Sequence, residues 1–120
     1  MHVVEIVKAL GDVTRLRMLN LFQQETLCVC DLEAVLHISQ SNASRHLAKL
    51  RQAGLITGEK QAQWVYYRLD EASLARYPFV RELLTGGLAK EPVCQKDAAR
   101  LKKYRELGGG CEQAVCLTDE

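Results

Sequence analysis

No stretch of this chain reaches the ~18–20 apolar residues that a membrane-crossing helix needs. The N-terminus Met1-His2-Val3-Val4-Glu5 has neither the basic start nor the apolar run of a secretory signal. Both absences point to a cytoplasmic protein with no membrane partner. A large excess of charge is missing too: 16 basic against 15 acidic residues leave +1, so there is no histone-like blanket of positive charge. Nor is there an internal repeat, a Cys-x-x-Cys ahead of a helix in a βαβ setting, a glycine-rich phosphate cradle or a carboxylate pair that suggests catalysis. An enzyme is therefore not expected. The bulk composition is ordinary: 120 residues, 48% hydrophobic and 26% charged. That is enough for one domain with one modest core, which a partner subunit would help to complete.

One local absence says more. From Ala34 through Gly58 there is no Asp or Glu, while Arg45, Lys49 and Arg51 lie inside that window. The acids collect at Glu5 and Asp12, around Asp70-Glu71, and at Glu112, Asp119 and Glu120. A neutral protein thus carries a locally positive surface.

Apolar spacing organises the first half into short helices. Val3, Val4, Ile6, Val7 and Leu10 form one stripe, ended by Gly11. Asp12 can cap a second helix with Val13, Leu16, Leu19 and Phe22 inward, and Cys28 to His37 reads as a third. A fourth starts at Ser39, as N-cap, and stops at Gly54. The period then changes: Leu55-Ile56-Thr57 and Trp64–Leu69 read as two strands, with a polar stretch from Gly58 to Gln63 between them. Pro78 suits the first turn of a helix carrying Phe79, Val80, Leu83 and Leu84. Gln95 to Leu107 forms a charged last helix, after which Gly108-Gly109-Gly110 is expected to release a flexible tail. The fold class is mainly α with a β-hairpin, laid out as a winged helix-turn-helix over residues 1–90. Residues 91–120 form a C-terminal helix and a cysteine-containing tail.

The fourth helix is the natural reader of DNA. At about 100° per residue, Ala43, Leu47, Leu50 and Gly54 share one side, while Ser41, Arg45, Ala48 and Gln52 share the other, flanked by Ser44 and Lys49. Arg makes bidentate bonds to guanine, Gln reads adenine, and Ser reaches phosphate or base edges. The first turns bring Ser39, Gln40, Ser41, Asn42, Ser44 and Arg45 forward, the end of such a helix that usually meets bases. His46 sits at the margin of the exposed face, where a phosphate contact or a plain surface histidine fits equally. Lys60 and Gln63, near the hairpin tip, can touch flanking phosphates.

Five cysteines, Cys28, Cys30, Cys94, Cys111 and Cys116, cannot all pair within one chain. In the cytosol they are expected as reduced thiols that pack, bind metal or sense redox. Cys28 and Cys30 fall where the third helix begins, so its positive end should lower their pKa. Soft thiolates favour soft ions, and trivalent arsenic or antimony takes three sulfurs. Positions i and i+2 of a regular helix point about 200° apart. Binding should therefore unwind or bend the first turn of the third helix and spoil the fit of the fourth to its groove.

Three blocks, Leu10–Arg17 (LGDVTRLR), Leu27–Leu32 (LCVCDL) and Ser39–Leu47 (SQSNASRHL), closely resemble the ArsR (ArsR/SmtB) family of bacterial metalloregulatory repressors. The resemblance covers roughly residues 3 to 90. It implies a homodimeric winged helix that sits on double-stranded operator DNA without a cofactor and leaves when an inducer, As(III) or Sb(III), binds. Dimer contacts would come from Val3–Leu10 and Phe79–Leu88. The Cys-Val-Cys-Asp-Leu block carries the inducer ligands in the family's arsenic sensors, which assigns Cys28 and Cys30. A third thiol is expected three residues on, but that position is Glu33. Any third sulfur must come from Cys111, Cys116 or Cys94, with Cys94 more at home in packing or a dimer contact. The family's zinc site uses Asp and His after the wing. The histidines here, His2, His37 and His46, all precede it, so a zinc sensor of that type is not expected. The alternative is a repressor of the same fold triggered by cadmium or lead, or by thiol oxidation.

Overall fold

The computed structural model describes residues 1–111 and Leu117. The elements run α1 (His2–Leu10), α2 (Val13–Phe22), β1 (Leu27–Cys28), α3 (Val29–Leu36), α4 (Gln40–Gln52), β2 (Ile56–Gln61) and β3 (Trp64–Leu69). They continue with α5 (Glu71–Arg76), α6 (Pro78–Glu82), a π turn (Leu83–Gly87), a 3-10 turn (Leu88–Lys90) and α7 (Pro92–Glu106).

Side-chain caps fix three of the helix starts. Asp12 accepts from the Arg15 N–H at 3.0 Å, Ser39 from the Asn42 N–H at 3.1 Å and Asp70 from the Ser73 N–H at 3.1 Å. Each satisfies an amide that the helix itself leaves unpaired. Between α3 and α4, His37 takes a left-handed conformation, φ 55°, and turns the chain sharply. Leu32, Val35, Leu47 and Leu50 from these two helices are buried together with Leu19 and Leu21 of α2.

The sheet has three strands in the order β1-β3-β2. The hairpin is longer than the sequence suggests: β2 runs on to Gln61, which pairs with Trp64, leaving only Ala62 and Gln63 as the turn. Residues 58–61 lack the apolar alternation of a strand because they project from the core, and the ladder to β3 holds them. The third strand was not visible in the sequence. Leu27 and Cys28 pair antiparallel with Tyr67 and Tyr66, which joins the start of α3 to the hairpin.

Helix α7 begins earlier than expected, at Pro92, and packs against α2 and α3. Its Cys94, Leu101 and Tyr104 enter the main core. Buried Asp97 accepts two bonds from the Arg17 guanidinium, at 2.7 and 2.8 Å, and Arg100 Nε donates to the Val35 carbonyl at 3.0 Å. The glycines after α7 do not simply release the chain. Gly108 has φ 84° and donates to the Arg105 carbonyl at 3.0 Å, while Gly109 donates to the Tyr104 carbonyl at 2.9 Å. This pair of bonds closes the helix and turns the chain back on itself. Only glycine fits at 109, because a Cβ there would lie 2.4 Å from the Tyr104 ring. Among the described residues, no helix is long and apolar enough to cross a membrane.

Candidate metal centre and nucleic-acid interface

The reversal after α7 has a chemical consequence. It delivers Cys111 to the start of α3, where the sulfurs of Cys28, Cys30 and Cys111 all lie within 4.8 Å of one another. Cys28 is buried, and Cys30 and Cys111 are half-buried. Cys116 lies outside the described residues.

Three expectations about this centre need correction. Cys28 is not inside the helix: it is the N-cap of α3, with extended backbone (φ −102°, ψ 175°). The 200° argument applies only between two helical residues, so Cys28 and Cys30 converge without any unwinding of the first turn. The second concerns ionisation. Burial, followed by the negative charges of Glu33 and Asp31, raises the Cys30 pKa rather than lowering it. The helix end does not overcome desolvation beside two carboxylates. The expectation of uniformly free thiols also changes, since Cys28 and Cys111, 83 residues apart in sequence, are joined as a disulfide. Cys30 and Cys94 are free. Cys94 is buried away from this centre, on the side of α7 facing α2, where the Asn20 side-chain amide donates to its carbonyl at 3.0 Å. Burial raises its pKa as well, with Asp97 and Glu91 adding to the effect.

Sequence reasoning missed the supports around the three sulfurs. Asp31, 1% exposed, accepts from the Cys28 backbone N–H at 2.9 Å and from Arg105 Nη2 and Nη1 at 2.9 and 3.1 Å. The same guanidinium bonds Glu25 and donates to the Gly109 carbonyl at 3.0 Å. One arginine on α7 therefore holds both the strand that carries Cys28 and the turn that carries Cys111. An arginine 74 residues from its carboxylate partner leaves no local sequence signal.

Helix α4 presents the other surface. Ser39, Gln40, Ser41, Ser44, Arg45 and Lys49 are exposed and Asn42 is half-exposed. Arg45 Nη2 donates to Asn42 Oδ1 at 2.5 Å, which orders the guanidinium along the helix. Lys60 and Gln63 are exposed at the hairpin tip. His46 differs from expectation: it is 7% exposed and faces inward. Its Nδ1 lies 3.2 Å from Arg15 Nη1 and 3.9 Å from Asp12 Oδ1. The reason is helical position, because His46 is adjacent to Leu47 and three residues from Ala43, both core residues.

A turn between two helices that seats the second as an open polar face, followed by a projecting hairpin, defines a winged helix-turn-helix of the DNA-binding regulator class. The profile of the bacterial regulatory protein arsR family matches residues 12–57. An arsenical resistance operon repressor of Bacillus subtilis is 38% identical over 88 residues, covering 72% of this chain and 73% of that protein. The chain belongs to the ArsR family. An arsenic resistance transcriptional regulator of Pseudomonas putida is 51% identical over 65 residues, 53% of this chain. The chain spans only 51% of that relative's length. Among solved structures, the homodimeric winged helix-turn-helix DNA-binding domain of a possible ArsR-family transcriptional regulator from Mycobacterium bovis superposes with a TM-score of 0.62. It is 25% identical, with 76% of this chain and 85% of that one covered. These relatives are regulators, not enzymes.

Proposed function

We propose that the chain is a homodimeric repressor that holds operator DNA through α4 and the wing, and that it is released when As(III) or Sb(III) is taken by Cys28, Cys30 and Cys111. The observation that carries this reading is the convergence of three sulfurs at the start of α3. The relatives' arsenic-resistance names support it.

Charge balance favours the metalloid over a divalent cation. Arsenous acid exchanging three hydroxyls for three thiols forms three As–S bonds and releases three waters, the thiol protons leaving with the hydroxyls. The product is neutral, so a raised thiol pKa is no obstacle. Cadmium or lead on three thiolates must expel three protons and leaves a net negative charge beside Asp31 and Glu33, in a half-buried place. Bound As(III) or Sb(III) would thus be held by these sulfurs in a neutral complex.

The centre touches both DNA-reading parts. Cys28 pairs with the wing strand at Tyr66, and it also begins α3, which leads through the His37 turn to α4. Tying Cys28 and Cys30 to Cys111 shifts the start of α3 against the wing. DNA and inducer then oppose each other through that element, and the coupling is reciprocal. The dimer is supported by apolar side chains that a monomer leaves in water: Val3, Val4 and Val7 on α1 and Phe79 on α6.

A second reading has one observation in its favour. The Cys28–Cys111 disulfide joins two of the same three sulfurs, so an oxidant can close the centre without any metalloid. The test is an operator titration of reduced protein on the promoter DNA upstream of its own gene, repeated with arsenite, antimonite, cadmium, zinc and peroxide. Release by arsenite and antimonite supports the first reading. Release by peroxide or cadmium with arsenite inert overturns it. On the DNA side, Arg45→Ala should weaken operator binding by about 1–3 kcal/mol and relax base preference. Unchanged affinity removes Arg45 from the reading surface.

A further inference from the structure

His46 lies on the recognition helix but off its exposed face, against Arg15 and Asp12. A guanidinium has only donors, so at 3.2 Å from Arg15 Nη1 the His46 Nδ1 must accept. The ring is then neutral, with its proton on Nε2. Arg15 does more than meet His46. Its Nε donates to the Ala9 carbonyl at 2.7 Å and its Nη2 to the Lys8 carbonyl at 3.3 Å, while its backbone N–H donates to the Asp12 cap. One guanidinium therefore ties the last turn of α1 and the start of α2 to the middle of α4.

Resting on the DNA-binding reading above, we propose that His46 is a positioning residue. By accepting the Arg15 hydrogen bond as a neutral imidazole, it fixes the recognition helix against the α1–α2 corner, and it makes no contact with DNA itself.

The groups around His46 set the sign of its pH response. From α2 it faces Arg15, from the α1–α2 corner Asp12, and from its own helix Arg45. Glu5 and Lys8 of α1 and Lys49 of α4 line the cleft beside Arg15. A proton on Nδ1 removes the acceptor and sets a cation against Arg15, with Asp12 as the nearest counter-charge. Burial lowers the His46 pKa from 6.5; Asp12 opposes that shift, and Arg15 and Arg45 reinforce it. Because the folded value is lowered, stability rises with pH across this window. The stability that the neutral ring contributes is full above the unfolded value of 6.5 and declines as pH falls from there toward the folded pKa. The positioned ring itself is lost only as pH passes below that lowered folded value. A phosphate contact by protonated His46 would do the reverse and tighten DNA binding on acidification.

The experiment compares reduced wild type, H46Q and H46F on the same promoter DNA at about pH 7.5 and about pH 5.5. Wild type should lose affinity on acidification, by no more than a few-fold at the lower pH because the folded pKa of His46 lies below 6.5. H46Q, whose amide oxygen still accepts but does not titrate, should bind within a few-fold of wild type at the higher pH and show a flatter profile. H46F should be weaker by about tenfold at both pH values, with its fold checked by circular dichroism. If H46F does not fold, the H46Q profile carries the test. Nitrogen-15 NMR of the free protein gives a reading without DNA: His46 Nδ1 should be unprotonated near neutrality. Tighter wild-type binding at low pH, H46F equal to wild type, an H46Q profile as steep as wild type, or a protonated Nδ1 near neutrality each overturns the proposal. Failure of wild type to bind the DNA at the higher pH sinks the DNA-binding reading itself, while the NMR still decides whether the Arg15–His46 bond exists.

Discussion

Cys111→Ser should lower the affinity for As(III) by about a hundredfold or more and leave operator binding by the reduced, metalloid-free protein unchanged. The third As–S bond closes a ring whose end is already held nearby, so its loss exceeds that of one independent ligand. Cys111 is brought there by the turn at Gly108 and Gly109 and by the Arg105 bond to the Gly109 carbonyl, at 3.0 Å. None of these supports involves the exposed face of α4, which is why DNA binding should be spared. Cys94→Ser is the matched control: Cys94 is buried against α2 rather than at the start of α3, so it should not change metalloid affinity. The measurement is a titration of sulfur-to-arsenic absorption with affinity set by competition. Full wild-type affinity in Cys111→Ser would remove Cys111 from the centre.

Asp31→Ala should cost about 2–4 kcal/mol of folding stability. The carboxylate is almost wholly buried and answers both the Cys28 N–H and two nitrogens of Arg105. Removing it strands a buried backbone donor and breaks the paired charges. The full cost of a buried pair does not apply, because Arg105 is 31% exposed and can turn to water or to Glu25. Arg105→Gln, by contrast, leaves the buried Asp31 carboxylate without its counter-charge and should cost at least as much as Asp31→Ala. Denaturant unfolding of both reduced variants tests this order. A loss below about 1 kcal/mol for Asp31→Ala would mean that water takes over its partners.

Local signals made much of the fold legible. The caps at Asp12 and Ser39, the stripe Ala43-Leu47-Leu50 and the β-rich segment Trp64–Leu69 each act over a few residues, and each identifies its element. What escaped depends on distant partners. Leu27-Cys28 becomes a strand only because Tyr66 and Tyr67 lie beside it, and that pairing also puts Cys28 outside the helix. His46 reads as surface by charge and spacing, but the Arg15 side chain covers it from α2. Cys28 and Cys30 were visible as a pair, while the choice of Cys111 over Cys94 follows from the docking of α7 through Arg17–Asp97 and Arg105–Asp31. These pairs span 80 and 74 residues, and periodicity carries no information at that range.

The distance along the chain between Cys28 and Cys111 has a topological consequence. Whatever joins them, metalloid or disulfide, closes a loop of 83 residues, and α4 with both wing strands lies inside it. Closing a loop of that size removes about 4–5 kcal/mol of configurational freedom from the unfolded chain. On the proposed function, the signal that would take the protein off DNA also staples the molecule. The DNA-free, inducer-loaded form should be the more heat-resistant of the two, and a single proteolytic cut in the wing would leave its halves tethered.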